Sequence, residues 1–179
     1  MIQEALKFAV EKHEKQLRKG TNIPYIVHPV EVMKILLENG ATEQVVVAGI
    51  LHDTVEDTKT TIDELKIVFG DEIAKIVAGV SEDKTKTWEE RKQHTIVELK
   101  NATKEIKLVA CADKLSNLKS IFHEKNEIGK KIWERFKRGF KPQKKYYSGL
   151  IDSLSDLGEL KMYLELKNVF INVFENKII

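Results

Sequence analysis

The chain has 179 residues, of which 42% are hydrophobic and 32% charged, with a formal net charge of +2. This length and balance fit one globular domain over 1–179, and the nearly balanced charge argues against general nucleic-acid binding. No apolar run approaches the roughly 20 residues of a membrane span, the first residues lack a signal-peptide pattern and Cys111 is the single cysteine, so we expect a cytoplasmic protein.

Prolines and glycines are few, and most segments between them repeat apolar residues at helical spacing, which predicts an all-α helical bundle. The first helix is expected over about 2–17. Pro29 suits the first turn of a second helix over about 29–38, and it places His28 at the start of that helix. Thr42 then begins the central helix of the bundle.

Capping signals mark the helices that follow. Thr61 and Thr87 are each followed three residues later by a glutamate, the pattern of a capping box. The further helices are expected over about 61–68, 71–80, 87–100 and 104–124, with two or three more from 127 to the end.

Four ionisable side chains interrupt one of the most apolar stretches of the chain: His52, Asp53, Glu56 and Asp57. Burying such groups costs several kcal/mol per ion unless something pairs them, and a bound metal is a suitable partner. On a continuous helix the four fall within a sector of roughly 140°, so all would point into one cavity. The alternative, a capping cluster, does not call for a histidine in an apolar run.

Two imidazoles and two carboxylates form the candidate ligand set: His28, His52, Asp53 and Asp113. Such a mixed set suits Mn²⁺, Fe²⁺ or Zn²⁺, and the absence of thiolates argues against a structural zinc site. Glu56 and Asp57 remain free to activate water and to protonate a leaving group. Spacing alone leaves Asp113 open, because an aspartate beside Lys114 is often only an ion pair. A polar row of Asp113, Asn117 and Ser120 on the long helix nevertheless suggests a pocket wall.

The remaining chemically notable residues have simpler interpretations. Apolar neighbours indicate that Cys111 is a small core residue. His13, His94 and His123 stand among charged residues and are expected to be solvated. The segment Lys130–Lys145 holds eight basic residues against one acidic residue and can attract a polyanionic small molecule.

A series of motifs runs in order along the first two thirds of the chain. They are His13-x-x-Gln16-x-Arg18-Lys19, Pro24-Tyr25-Ile26-Val27-His28-Pro29, His52-Asp53-Thr54-Val55-Glu56-Asp57-Thr58, Phe69-Gly70, Val80-Ser81 and Ala112-Asp113-Lys114-Leu115-x-Asn117-Leu118. On these motifs, residues 5–122 resemble the HD-domain hydrolases of the RelA/SpoT type. The loop 18–24 is one residue longer than the usual pattern, and 125–179 match the family poorly.

The resemblance implies a single HD domain with its metal site on the central helices. It implies a small stand-alone alarmone hydrolase, similar to the metazoan SpoT homologue, that uses Mn²⁺ to hydrolyse ppGpp or pppGpp to GDP or GTP and pyrophosphate. The implied metal ligands are His28, His52, Asp53 and Asp113, with Glu56 and Asp57 as acid and base. The implied substrate contacts are Arg18, Lys19, Lys84 or Lys86, Asn117, Ser120 and Tyr146.

Two other functions stay open on the sequence. Another HD phosphohydrolase, such as a nucleotidase or an NADPH phosphatase, would use the same metal with a different pocket. A catalytically silent nucleotide-binding sensor is the third possibility. The intact ligand set and the Glu56-Asp57 pair argue against the sensor, because a pure binder has no evident need for both.

Overall fold

The computed structural model describes residues 1–175, and its secondary structure in that range is helical without a named strand. The predicted all-α class is therefore confirmed. The helices are α1 (Ile2–Lys12), α2 (Val27–Glu38), α3 (Glu43–Leu51), α4 (Thr54–Asp57), α5 (Ile62–Phe69), α6 (Asp71–Val80), α7 (Trp88–Asn101), α8 (Lys104–Ile128), α9 (Phe140–Ser153) and α10 (Lys161–Phe174), with 3-10 turns at Gly129–Arg135 and Ser155–Leu157. The single domain predicted over 1–179 extends four residues beyond the described part.

The long helix α8 runs through the centre of the bundle and packs against α2, α3, α6 and α10. Its apolar residues Val109, Ala112, Leu115 and Leu118 are buried in one continuous core. None of the helices between residues 1 and 175 combines the length and apolarity needed to span a bilayer. Because α8 packs against four other helices, a polar residue on it can meet residues from several of them.

Gly49 allows α2 and α3 to pack closely. A Cβ atom at this position would lie 3.2 Å from Val32 Cγ1 and nearer still to Leu36 Cδ1, both on α2. Protein interiors are densely packed, so an added methyl group there would require Leu36 and Val32 to shift. The glycine therefore allows close contact between α2, which carries His28 in its first turn, and α3, which ends directly before His52.

The helix boundaries signalled by caps agree with the structure. Helix α6 begins and ends where it was predicted, and α5 and α7 lie within one residue of their expected ranges. The Thr87 capping box is complete. At Thr61 only half of it forms, because the Glu64 side chain instead accepts from Lys12 Nζ at 2.7 Å.

The predicted end of the first helix is wrong, since α1 ends at Lys12 and not near residue 17. The chain turns there and pairs with itself across the following loop. Arg18 N–H donates to the Ile23 carbonyl at 2.8 Å, and Tyr25 N–H donates to the Gln16 carbonyl at 2.9 Å. These bonds across the loop replace the helical ones, and they tie the loop to the start of α2.

The central helix is also not continuous. α3 ends at Leu51, a turn at His52 and Asp53 follows, and α4 is a single turn. The Asp53 backbone, at φ −94° and ψ −6°, departs from regular helical values. The Thr54 hydroxyl donates to the Leu51 carbonyl at 2.7 Å and so satisfies one group freed by the break. The His-Asp pair therefore lies at a bend.

Candidate metal centre and adjoining cavity

Three parts of the fold bring the predicted ligands together. His28 lies in the first turn of α2, His52 and Asp53 form the bend after α3, and Asp113 lies in the middle of α8. Both imidazoles and the Asp113 carboxylate are buried. His28, His52 and Asp113 form a cluster with potential ligand atoms within 4.8 Å of one another.

The four donor atoms have the spacing of a ligand set. The Nε2 atoms of His28 and His52 are 3.3 Å apart. Asp113 Oδ1 lies 3.2 and 3.7 Å from these two nitrogens, and Asp53 Oδ2 lies 3.5 and 3.0 Å from them. Neighbouring ligands bound to one ion at about 2.0–2.2 Å are themselves roughly 3 Å apart. The residues therefore fit one divalent ion, whose charge two carboxylates would offset.

The protonation of each residue in the cluster depends on its neighbours. Burial lowers the pKa of His28. Burial also opposes charge on His52, but the Asp53 and Asp113 carboxylates outweigh it and raise the pKa of His52 well above its ordinary value. Despite burial, His52 lowers the pKa of Asp53, and Lys114 does so for Asp113. A proton on His52 thus balances the carboxylates, and a divalent ion bound here must displace it.

Further side chains hold the two carboxylates in place. The Tyr25 hydroxyl donates to Asp53 Oδ2. Asp113 accepts from Lys114 Nζ at 2.6 Å and from Asn117 Nδ2 at 2.5 Å. Sequence reasoning missed Tyr25, although it lies inside the quoted Pro24 to Pro29 motif. It raised Lys114 as an ion-pair partner of Asp113, and this ion pair is present in the structure. Their short bonds orient both carboxylates before any ion arrives.

Glu56 lines a cavity of about 270 Å³ together with His52, Asp53 and Asp113, whereas Asp57 is not among the residues that line it, contrary to the expectation that all four face one cavity. Glu56 Oε1 accepts from Glu82 N–H at 2.7 Å, and burial raises the pKa of Glu56. Asp57 pairs with Lys84 Nζ at 2.5 Å and accepts from Gln16 Nε2 at 3.1 Å, and the same Nζ lies 3.7 Å from Glu56 Oε2. The two acids are adjacent on the single turn of α4, which directs their side chains about 100° apart.

A second cavity of about 320 Å³ adjoins the first. Both are lined by Tyr25, Lys92, Lys114 and Asn117. The second collects most of the predicted substrate contacts: Arg18, Lys19, Asn117, Ser120 and Tyr146. Arg18 donates to Asn117 Oδ1 at 3.0 Å, so hydrogen bonds connect the second cavity to Asp113. Lys84 reaches the acid pair rather than this cavity, and Lys86 lines neither.

Tyr146 has the clearest unmet need for a partner. Its ring is buried against Trp88 and Tyr147, and Lys92 Nζ lies 4.8 Å from its centroid. Its hydroxyl is buried and has no hydrogen-bond partner in the described part of the chain. A buried hydroxyl normally finds a partner, so this group is placed to bond a molecule in the cavity.

Glu82 and Lys92 form a half-buried pair that the sequence did not reveal. Lys92 Nζ lies 2.8 and 2.9 Å from the two Glu82 oxygens, and the Thr95 hydroxyl donates to Glu82 at 2.9 Å. Glu82 follows the quoted Val80-Ser81 motif, which is the available sequence signal. The pair forms part of the wall between the cavities.

The minor predictions gave mixed outcomes. His13 is not solvated as expected: it is 3% exposed, bonds Gln16 at 2.7 Å and stacks on Tyr25. His94 and His123 are exposed as predicted. Cys111 is a core residue, and burial raises its thiol pKa to about 12.

The basic segment Lys130–Lys145 is partly neutralised by acidic partners. Arg135 pairs with Glu124 beside the second cavity, and Arg138 pairs with Glu89 at 2.7 Å. Only some of its charge is thus available to a polyanion. The attraction predicted from composition alone is correspondingly reduced.

Comparisons with known proteins agree with this geometry. The family described as HD domain matches residues 5–138. The guanosine-3′,5′-bis(diphosphate) 3′-pyrophosphohydrolase MESH1 of Danio rerio is 42% identical over 124 residues, which cover 68% of this chain and 69% of the relative.

Two solved structures share the fold. A protein from Listeria monocytogenes EGD-e is 39% identical, with a TM-score of 0.79 over 83% of this chain and 99% of the other. A metazoan ortholog of SpoT that hydrolyzes ppGpp is 27% identical, with a TM-score of 0.80 over 94% and 93%. The described bundle is therefore shared across nearly the whole length of these two proteins.

Proposed function

Because the chain belongs to the HD-domain family, we propose that it is a metal-dependent hydrolase that removes the 3′-pyrophosphate of ppGpp and pppGpp. The products are GDP or GTP and pyrophosphate. The observation that carries the proposal is the convergence of four ligand atoms, 3.0 to 3.7 Å apart, next to a cavity lined by Arg18 and Lys19. The relatives named as ppGpp 3′-pyrophosphohydrolases support the choice of substrate.

The proposed ion is Mn²⁺, which suits a mixed set of nitrogen and oxygen ligands. His28, His52, Asp53 and Asp113 would hold it. A divalent ion in this position supplies Lewis acidity, offsetting negative charge on the pyrophosphate by several kcal/mol in the transition state. We also propose that residues 1–179 form a single domain. The lone cysteine supports a location in the cytoplasm.

The acid and base are proposed to be Glu56 and Asp57. Glu56 Oε1 is occupied by the Glu82 N–H group, so Oε2 is the atom that accepts the proton of the attacking water. A bond forms from the water oxygen to phosphorus as the bond from phosphorus to the 3′ oxygen breaks. Once the phosphates draw Lys84 away from Asp57, to which it is bonded at 2.5 Å, Asp57 passes the proton taken from the water on to the leaving 3′ oxygen.

The second cavity is proposed to bind the nucleoside. Arg18 and Lys19 flank the purine, Asn117 and Ser120 contact the ribose, and Tyr146 offers its unpartnered hydroxyl. Lys84 would meet the phosphates as they displace its contact with Asp57. Asn117 lines both cavities. The purine would therefore lie on one side of Asn117, and the reacting phosphorus on the other side, next to the metal cluster.

The test is product identification with the purified full-length chain. The protein is stripped with a chelator, reloaded with Mn²⁺ or other divalent ions, and given ppGpp, pppGpp, NADPH and common nucleotides. We expect GDP and pyrophosphate from ppGpp, activity lost on chelation and restored by Mn²⁺, and oxygen from ¹⁸O-water in the pyrophosphate. Hydrolysis of NADPH with intact ppGpp would instead identify another phosphohydrolase, and binding without turnover would identify a sensor.

A further inference from the structure

The ring nitrogen of His28 that faces away from the metal cluster contacts Ser116, and Ser116 in turn contacts Glu31. His28 Nδ1 lies 2.9 Å from Ser116 Oγ, and Ser116 Oγ lies 2.7 Å from Glu31 Oε2. His28 and Ser116 are each 1% exposed, whereas Glu31 lies at the surface. Glu31, Ser116 and His28 thus form a relay of hydrogen bonds. It runs from the surface, through Ser116 of α8, to the imidazole at the start of α2.

The direction of these two hydrogen bonds follows from what each group can donate. A carboxylate only accepts, so the Ser116 hydroxyl hydrogen is directed to Glu31. The Ser116 oxygen then faces His28 with its lone pairs, and Nδ1 must carry the hydrogen that it accepts. His28 Nε2 is consequently left with a free lone pair, 3.2 Å from Asp113 Oδ1 and 3.3 Å from His52 Nε2.

The reverse direction would disable the site. If Ser116 donated to Nδ1, the neutral imidazole would carry its hydrogen on Nε2, and that nitrogen could not bind an ion. Glu31 prevents this by taking the hydroxyl hydrogen. Outer groups of this kind orient metal-binding histidines and select their tautomer in many sites.

The Nδ1 hydrogen of His52 is held by a different route. His52 Nδ1 lies 2.8 Å from the Gly49 carbonyl oxygen, which is an acceptor in every circumstance. The backbone therefore keeps this hydrogen on Nδ1, and the proton that a bound ion displaces is the one on Nε2. The Nδ1 hydrogen of His28 depends instead on two side chains from two helices, which makes it open to substitution.

We propose that Ser116 and Glu31 are positioning residues that hold His28 in its Nδ1-protonated form, with Nε2 ready for the ion. The pair also ties α2 to α8, the helices that carry His28 and Asp113. The proposal rests on the proposed metal role of His28 and is independent of which nucleotide is hydrolysed.

The test combines an NMR measurement without metal and a metal titration. Proteins labelled with ¹⁵N at histidine are compared for the parent, Ser116→Ala, Glu31→Ala and Glu31→Gln, with His28 assigned through His28→Gln. Mn²⁺ affinity is then measured by calorimetry. Ser153→Ala is the matched control, because it removes another buried helical hydroxyl, bonded to the Ile96 carbonyl at 2.8 Å.

We expect the parent and Ser153→Ala to show His28 protonated at Nδ1. Ser116→Ala should show a mixture of tautomers and bind Mn²⁺ about 10 to 100 times more weakly. Glu31→Ala should have a smaller effect in the same direction, and Glu31→Gln, which keeps an acceptor oxygen, should stay close to the parent.

An unchanged His28 spectrum or an unchanged Mn²⁺ affinity in Ser116→Ala would overturn the proposal. A parent protein that binds no divalent ion would contradict the proposed function. The NMR comparison needs no ion, so it reports on the relay separately. Folding of each variant is checked by circular dichroism, so a general loss of structure is recognised.

Discussion

The metal cluster and the second cavity are built in opposite ways. The cluster is buried, and each of its ligand atoms has a short contact to another ligand or to a supporting group. The cavity is lined by long cationic side chains that rest on exposed segments, with Arg18 bonded to Asn117 and Arg135 to Glu124. Preorganised, buried ligands suit a reaction step, whereas long side chains that exchange partners suit binding of a varied anion.

The largest effect is expected from removal of a metal ligand in the cluster. His52→Ala should lose both the ion and turnover, because Asp53 and Asp113 would then face each other with one imidazole fewer. Metal content and ppGpp hydrolysis measure the two effects. His123→Ala, at an exposed histidine, should match the parent, and stoichiometric metal with retained activity in His52→Ala would remove His52 from the site.

Removing the proposed base should separate chemistry from metal binding. Glu56→Gln keeps the size of the side chain, so the ion should stay bound while turnover falls by about 10²- to 10⁴-fold. Single-turnover rates and metal content test this, with the exposed Glu72→Gln as control. A variant as fast as the parent would show that Glu56 is not the base.

The dependence of kcat on pH tests the same role of Glu56 as the base. Burial raises the pKa of Glu56 above its ordinary 4.5. A base must be ionised, so activity is expected to fall as pH drops through this raised pKa, at a higher pH than for an ordinary carboxyl group. The acidic limb of kcat against pH should be absent in Glu56→Gln, and an identical limb in that variant would assign it to another group.

A change in the second cavity should act on binding instead. Arg18→Ala removes a charge-assisted contact worth about 1.5–3 kcal/mol, or roughly a tenfold to hundredfold rise in KM for ppGpp. Arg18→Ala should hydrolyse a minimal phosphate ester as fast as the parent does. Arg138→Ala, whose guanidinium pairs with Glu89, is the matched control, and equal effects on both substrates would contradict the assignment.

The smallest effect is expected for substitution of Glu82, in the wall between the metal cluster and the second cavity. Burial opposes ionisation of Glu82, but Lys92 and Lys114 outweigh it and lower its pKa. Its contribution to stability is therefore present above about pH 4.5 and is lost as pH falls through the lowered folded-state pKa. Glu82→Gln should cost about 1–3 kcal/mol of unfolding free energy at pH 7.

Denaturant titrations at several pH values test the Glu82 prediction. The deficit of Glu82→Gln relative to the parent should shrink as the pH drops below 4.5, and the exposed Glu98→Gln should show no such trend. A deficit that stays constant with pH would mean that packing, not charge, is lost.

The same contrast explains what the sequence could predict. The cluster residues lie in dense motifs with few alternatives, and caps such as Thr87 mark helix ends within a single turn of chain. The end of α1 is not predicted because it depends on backbone pairing inside the following loop, where Arg18 bonds Ile23. The bend at 52–53 is not predicted because the helical spacing of the residues continues through it. Caps and spacing are visible in one sequence, but the competition between helical and loop hydrogen bonds is not.

The close packing at Gly49 has a consequence for how this site can evolve. A side chain at this position would press on Val32 and Leu36 of α2, the helix that carries His28, while the backbone carbonyl that accepts from His52 would be kept. Because glycine is the smallest residue, substitution there can only add volume between α2 and α3. Selection for a larger ion therefore has an adjustable point outside the ligands, with every coordinating residue retained.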